Sequence, residues 1–259
     1  IQHQSRRLRF AIYTIAAALF VGALRDHPAF AEWGPFWLFA PWLWLWVAGY
    51  ANALNFIDGI DGLAGTQAVG ALVFGALICG QCGGDPAAIA PLIALQVVLA
   101  AAMTGFLGHN LPRARLFLGD VGSIATGFLL AAIAVMAALS LGWKTGAALA
   151  ALHLGPTLDT GLTLLRRLIQ GQPIYDRHRE FFFHRAVRSG HSHRFVTLVE
   201  TALQLAGGML LLRQFQRSTS GPSNAGLLIA IATLAVAWLA YFAWCEWRFR
   251  RFKRVSSAT

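Results

Sequence analysis

Long uncharged apolar runs separated by short polar connections dominate the chain. The runs 36–57, 62–84, 86–112, 121–143 and 218–245 each reach the roughly 20 residues that a helix needs to cross about 30 Å of hydrocarbon. Three weaker runs follow the same pattern: 8–24 is short, 145–165 carries Asp159, and 195–212 carries Glu200. The pattern predicts an all-α, polytopic membrane fold of about eight transmembrane helices. No internal repeat or low-complexity tract divides it, so residues 1–259 read as a single membrane-embedded domain.

Composition supports this reading. Of the residues, 57% are hydrophobic and only 12% charged, against roughly 25% charged in an ordinary soluble domain. The net charge of +10 raises the question of nucleic acid, and the placement of the basic residues answers it. With eight crossings, 17 of the 21 Lys and Arg fall on the side of the N-terminus, in the first residues, 108–122, 166–194 and the tail from Arg248, the side that also receives 52–65. That bias obeys the positive-inside rule, predicts these loops and the C-terminal tail to be cytoplasmic, and excludes a nucleic-acid partner. Trp33, Trp37, Trp42, Trp44 and Trp46 cluster near the first outer loop, as an interfacial aromatic belt does. The chain opens on Ile1, and Arg6, Arg7 and Arg9 run straight into a span without a cleavage pattern, so some N-terminal sequence is expected to be missing.

The polar chemistry lies on the basic side. Residues 52–65 place Asn52, Asn55, Asp58 and Asp61 at the end of an apolar span. If helical, Asp58 and Asp61 share one face; if broken at Gly59 and Gly62, backbone amides are exposed beside them. Both geometries suit Mg²⁺, which takes one or two carboxylates and leaves positions for phosphate oxygens. The competing reading is a glycine turn whose Asp caps the next helix. Residues 105–123 add Asn110, Arg113, Arg115, Asp120 and Ser123. Alone, Asp120 reads equally as an N-cap and Asn110 as a turn residue, whereas together with the arginines they read as a phosphate site. Residues 166–194 concentrate His and Arg, including His178, Arg179 and His184, which favours an anion-binding surface for a nucleotide diphosphate. Zinc on His178, His184, His191 and His193 is the minor alternative, since the intervening arginines oppose a cation. Cys79-Gly-Gln-Cys82 at an outer helix end reads as packing or an incidental disulfide, and Asp159, Glu200 and His153 as paired structural groups.

Together these segments resemble the polyprenyl-phosphate N-acetylhexosamine-1-phosphate transferases, glycosyltransferase family 4. Residues 52–65, NALNFIDGIDGLAG, look like the family's Asn/Asp loop, and 105–123, GFLGHNLPRARLFLGDVGS, like its Asn…Pro…Phe-x-Gly-Asp-x-Gly-Ser loop. The 166–194 loop is similar to the family's last cytoplasmic loop in the His-Arg-x-His variant of the O-antigen, undecaprenyl-phosphate initiating branch, with Phe181 and Phe183 where His or another polar residue is expected. A family Asp-Asp motif from an earlier loop has no counterpart before Arg6, so the resemblance covers about the later three-quarters of a family member.

The resemblance implies a bacterial plasma-membrane enzyme. In it Asp58, Asp61 and Asp120 are catalytic, with Mg²⁺ (Mn²⁺ as the alternative ion) on Asp120 and Asp58. Asn52, Asn55, Asn110, His178, Arg179 and His184 bind substrate. A UDP-N-acetylhexosamine would give its sugar-1-phosphate to a polyprenyl phosphate, releasing UMP, and a homodimer is one further implied state. Two rival readings are a transporter using Asp159, His153 and Glu200, and a truncated, non-catalytic relative.

Overall fold

The computed structural model describes residues 6–173, 180–217 and 221–256, and every regular element among them is an α-helix. Apolar runs of this length in lipid leave the helix as the way to satisfy the backbone within one segment. The elements are α1 (Arg6–Ala23), α2 (Ala29–Trp33), α3 (Phe36–Ile57), α4 (Leu63–Cys79), α5 (Pro86–Asn110), α6 (Gly119–Leu141), α7 (Trp143–Ala151), α8 (Leu154–Ile169), α9 (Phe182–Arg188), α10 (His193–Gln216) and α11 (Asn224–Ser256).

Four of these, α5, α6, α10 and α11, are long and apolar enough to cross a membrane by length and composition. The expectation of about eight spans is therefore not supported. Helix α4 stops at Cys79 after 17 residues. Tryptophans and Asn dilute the hydropathy of α3. The run 145–165 splits between α7 and α8, because Pro156 has no N–H to continue the ladder; the Leu152 carbonyl instead accepts from Gln204 Nε2 at 3.3 Å. Large apolar side chains stay exposed around the outside, Trp42 and Leu198 at 70% each, as a lipid-facing surface requires and a soluble monomer rarely shows. The chain is a membrane protein.

The core is closed by large buried side chains such as Leu54, Ile57, Leu72, Phe183, Trp238 and Phe242. Close helix approach depends on glycine. A Cβ on Gly127 of α6 would lie 2.8 Å from Ala51 Cα and 3.0 Å from Tyr50 O on α3, so only hydrogen lets this pair seat. Tertiary bonds then gather the start of α1, the end of α3, the start of α4, the end of α5 and the starts of α6 and α10 at one end of the bundle. At the opposite end Cys82 Sγ meets Thr145 Oγ1 at 3.3 Å and Lys144 Nζ donates to Pro222 O at 2.8 Å.

Candidate active site

Helix α3 ends where Asp58-Gly59 follows Ile57, and the chain re-enters α4 through Gly62 at φ +77°, a left-handed turn that favours glycine. That short turn sets Asp58 and Asp61 on different partners. Asp58, nearly buried, accepts from the Leu118 amide at 3.2 Å and the Gly119 amide at 2.9 Å, across the start of α6. It therefore caps α6 from another helix, supplying the side-chain acceptor that Leu118 at the N-cap lacks. Burial pushes its carboxyl above the ordinary range, while the two amides pull it back in part.

Asn55, one turn earlier on α3, accepts from Ser123 Oγ at 2.6 Å, and that hydroxyl also reaches Gly119 O at 2.7 Å. The two predicted loops are thus joined along one seam. Asn110 ties the second joint: its Oδ1 accepts from the Gly62 amide at 2.7 Å and its Nδ2 donates to Leu116 O at 2.6 Å. Asn110 is 2% exposed, so this amide holds both loops and is not a free surface group. Asn52 sits half-buried a further turn back on α3.

Asp120 is in the first turn of α6, its side chain 42% exposed, and forms an ion pair with Arg9 of α1. Asp61 faces the other way. Its Oδ1 lies 3.2 Å from His193 Nδ1 at the start of α10, and its carbonyl accepts from Thr197 Oγ1 at 2.7 Å. A cleft of about 400 Å³ opens here, lined by Asp61, Pro112, Arg113, Ser192, His193 and Arg194. Arg194 Nε donates to Pro112 O at 3.2 Å, which pins α10 to the segment before α6.

The 166–194 segment is anchored by an acid outside the predicted site. Asp159 of α8 accepts from the Phe182 amide at 2.9 Å, the Phe183 amide at 3.3 Å and Thr163 Oγ1 at 3.2 Å, so it caps α9. Arg167 Nη1 meets Glu180 Oε2 at 3.0 Å, and Arg185 pairs with Glu246 of α11. Phe181 and Phe183 are buried at 3% and 1%. They stack on each other with centroids 5.4 Å apart, and His184 packs on Phe183 at 4.3 Å. His184 therefore sits in an aromatic stack and does not line the cleft. His178 and Arg179 lie outside the described residues.

Among the described residues no three His, Cys, Asp or Glu side chains gather as a metal cluster, which leaves the zinc alternative without ligands there. Cys79 and Cys82 are not joined in a disulfide. The pattern does not single out Arg9 for the site, and His193 and Arg194 read only as part of the basic 166–194 segment; their contacts with Asp120, Asp61 and Pro112 are visible only once distant segments meet.

Comparison with known proteins decides the family. A profile described as glycosyl transferase family 4 matches residues 1–138, just over half of the chain and all of both carboxylate loops. The chain belongs to glycosyl transferase family 4. Among its relatives, it is 35% identical over 164 residues to the decaprenyl-phosphate N-acetylglucosaminephosphotransferase of Mycobacterium tuberculosis (57% of this chain, 40% of the relative). It is 31% identical over 165 residues to the probable undecaprenyl-phosphate N-acetylglucosaminyl 1-phosphate transferase of Bacillus subtilis (63% and 44%). It is 38% identical over 143 residues to the phospho-N-acetylmuramoyl-pentapeptide-transferase of Thermosynechococcus vestitus (50% and 35%). The matched part is less than half the length of each of these relatives.

Proposed function

We propose that the protein transfers an N-acetylhexosamine-1-phosphate from a UDP-sugar to a polyprenyl phosphate. The observation that carries this reading is the convergence of Asp58, Asp61 and Asp120 at one end of the bundle, beside a cleft with Arg113, His193 and Arg194. An oxygen of the lipid phosphate would attack the sugar-linked phosphorus as its bond to the bridging oxygen of UMP breaks. UMP leaves, and the lipid carries a pyrophosphoryl sugar. Little covalent chemistry falls to the protein, so positioning and charge neutralisation are its tasks.

Each residue has a place in that scheme. Arg113 and Arg194 balance diphosphate charge along the cleft. Asp61 orients the His193 ring through Nδ1 and leaves Nε2 for a phosphate oxygen, so His193 takes the place in the cleft that His184, in its aromatic stack, does not. Asp58, Asn55 and Asn110 hold the two loops in register.

The donor set fits magnesium in kind, since Mg²⁺ needs only one or two carboxylates beside waters and phosphate oxygens. Asp120, part-exposed and paired with a long flexible arginine, is the residue suited to hold it, together with Asp58, which already accepts two amides. When bound, the ion would offset charge on the transferring phosphate.

The basic bias of the loops favours a bacterial plasma-membrane enzyme with this end of the bundle cytoplasmic, where a soluble nucleotide sugar arrives while the lipid enters between helices. UDP-N-acetylglucosamine is the first donor to try, given the names of the relatives. The test is incubation of the intact protein in lipid nanodiscs with labelled UDP-N-acetylhexosamines, polyprenyl phosphate and Mg²⁺. Label in the lipid phase with release of UMP is expected; absence of both with every donor would overturn the proposal.

A further inference from the structure

Helix α11 is longer than its membrane task requires. Its 33 residues extend about 50 Å at 1.5 Å each, against the roughly 30 Å of hydrocarbon, so about four turns project at the end where the carboxylate loops lie. The projecting part has two chemically different sides. One is turned to the protein: Cys245 and Phe249 are buried, Glu246 pairs with Arg185, and Arg185 and Arg188 lie over the Phe249 ring at 5.4 and 4.9 Å.

The other side carries Trp247, Arg250, Arg251 and Arg254, spaced i, i+3, i+4, i+7 and so on one face. These four line a shallow concavity of about 520 Å³. Trp247 is 52% exposed and Arg251 lies over its ring at 5.6 Å. Glu246, the acid of this stretch, pairs inward with Arg185 and also accepts from Arg250 Nε at 2.6 Å, while the Arg250 side chain stays 70% exposed.

We propose that this face is a binding site for the phosphate headgroup of an anionic glycerophospholipid of the surrounding membrane. The chemistry matches element by element. An exposed indole on a helix leaving the bilayer settles at the level between acyl chains and headgroups. Arg250 and Arg251 one turn further out, and Arg254 two turns out, then stand at the height of the lipid phosphates, where their fork geometry and attraction to a negative surface both act. A soluble anion would call for the arginines but not for the exposed indole. The site shares no residue with the cleft at Asp61, so it stands whether or not the transferase reading does.

Native mass spectrometry of the intact protein, released from detergent holding equal phosphatidylglycerol and phosphatidylcholine, tests it. Retained phosphatidylglycerol should exceed phosphatidylcholine, and the preference should fall about fivefold for each arginine removed in Arg251→Gln/Arg254→Gln. Arg213→Gln/Arg217→Gln, at the opposite end of the bundle, should keep it. Helicity by circular dichroism checks folding, and Trp247→Ala, which leaves every charge in place, should also weaken retention. No preference in the unmodified protein, equal loss from both arginine pairs, undiminished retention in the 251/254 and Trp247 variants, or displacement of the lipid by millimolar inorganic phosphate would each overturn the proposal.

Discussion

Gly127 is where packing and site geometry meet most directly. The seam between α3 and α6 runs from Tyr50, Ala51 and Leu54 against Gly127, through Asn55 on Ser123, to Asp58 on the Leu118 and Gly119 amides. A Cβ at position 127 would stand 2.8 Å from Ala51 Cα and 3.0 Å from Leu54 Cβ, and two of its three nearest neighbours are backbone atoms that cannot rotate away. Overpacking of this kind costs about 1–3 kcal/mol, against which alanine regains up to about 1 kcal/mol of helix propensity over glycine.

Gly127→Ala should therefore lose about 1 kcal/mol, and Gly127→Val, with two further methyls, about 2–3 kcal/mol. At roughly 2–4 °C per kcal/mol for a chain of this size, the valine variant should melt about 5–10 °C lower. Gly105→Ala on α5 is the control, since a Cβ there has nothing within 4 Å, and it should melt no lower than the unmodified protein. Thermal unfolding in detergent gives the stability, and hydrogen exchange at the Leu118 and Gly119 amides reports whether α6 has moved off Asp58. A Gly127→Val protein that melts normally with both amides still protected would refute the seam as the element that registers the two loops.

Other predictions follow from single contacts. His193→Gln keeps a hydrogen-bonding group beside Asp61 but removes the ring, and should raise the KM for the UDP-sugar about tenfold or more with a smaller change in kcat; a loss confined to kcat would move His193 out of the binding role. Asp159→Ala leaves the Phe182 and Phe183 amides without their acceptor, costs about 2–4 kcal/mol, and should make the 166–194 segment faster to cut by protease; unchanged cleavage would show that α9 is held otherwise.

The parts of the fold that depend on local pattern were legible. Apolar runs located α3, α5, α6 and α10 to within a few residues, because length and hydropathy are properties of one segment, whereas the run 218–245 ends eleven residues before α11 does. The run 145–165 was misjudged as one helix because Pro156 acts on a carbonyl a turn earlier, and Leu152 is rescued by Gln204 from α10. The site divides in the same way. Asp58, Asp61, Asn110 and Asp120 announced themselves as polar residues at apolar helix ends, and of the readings weighed for the first loop the broken geometry and the capping one each hold in part. The loop is broken at Gly62, and Asp58 does cap a helix, but α6 and not the α4 that follows it.

Partnerships were not legible. Asp61 with His193 and Asp58 with Gly119 join positions 132 and 61 residues apart, for which one sequence carries no signal. The same holds for His184, whose histidine chemistry suggested an anion ligand until the burial of Phe181 and Phe183 drew it into an aromatic stack. His193 lay within the predicted anion-binding segment and among the minor zinc candidates, without a role of its own.

The central claim is that the carboxylates gathered at this end of the bundle serve a phosphosugar transfer. It is tested most directly by following UMP release and lipid-linked sugar together in the intact protein and in Asp120→Asn. The account predicts one UMP per lipid-linked sugar phosphate in the unmodified protein and a fall in both of about a hundredfold or more in the variant, with its melting temperature little changed. Equal turnover in the two proteins would contradict it.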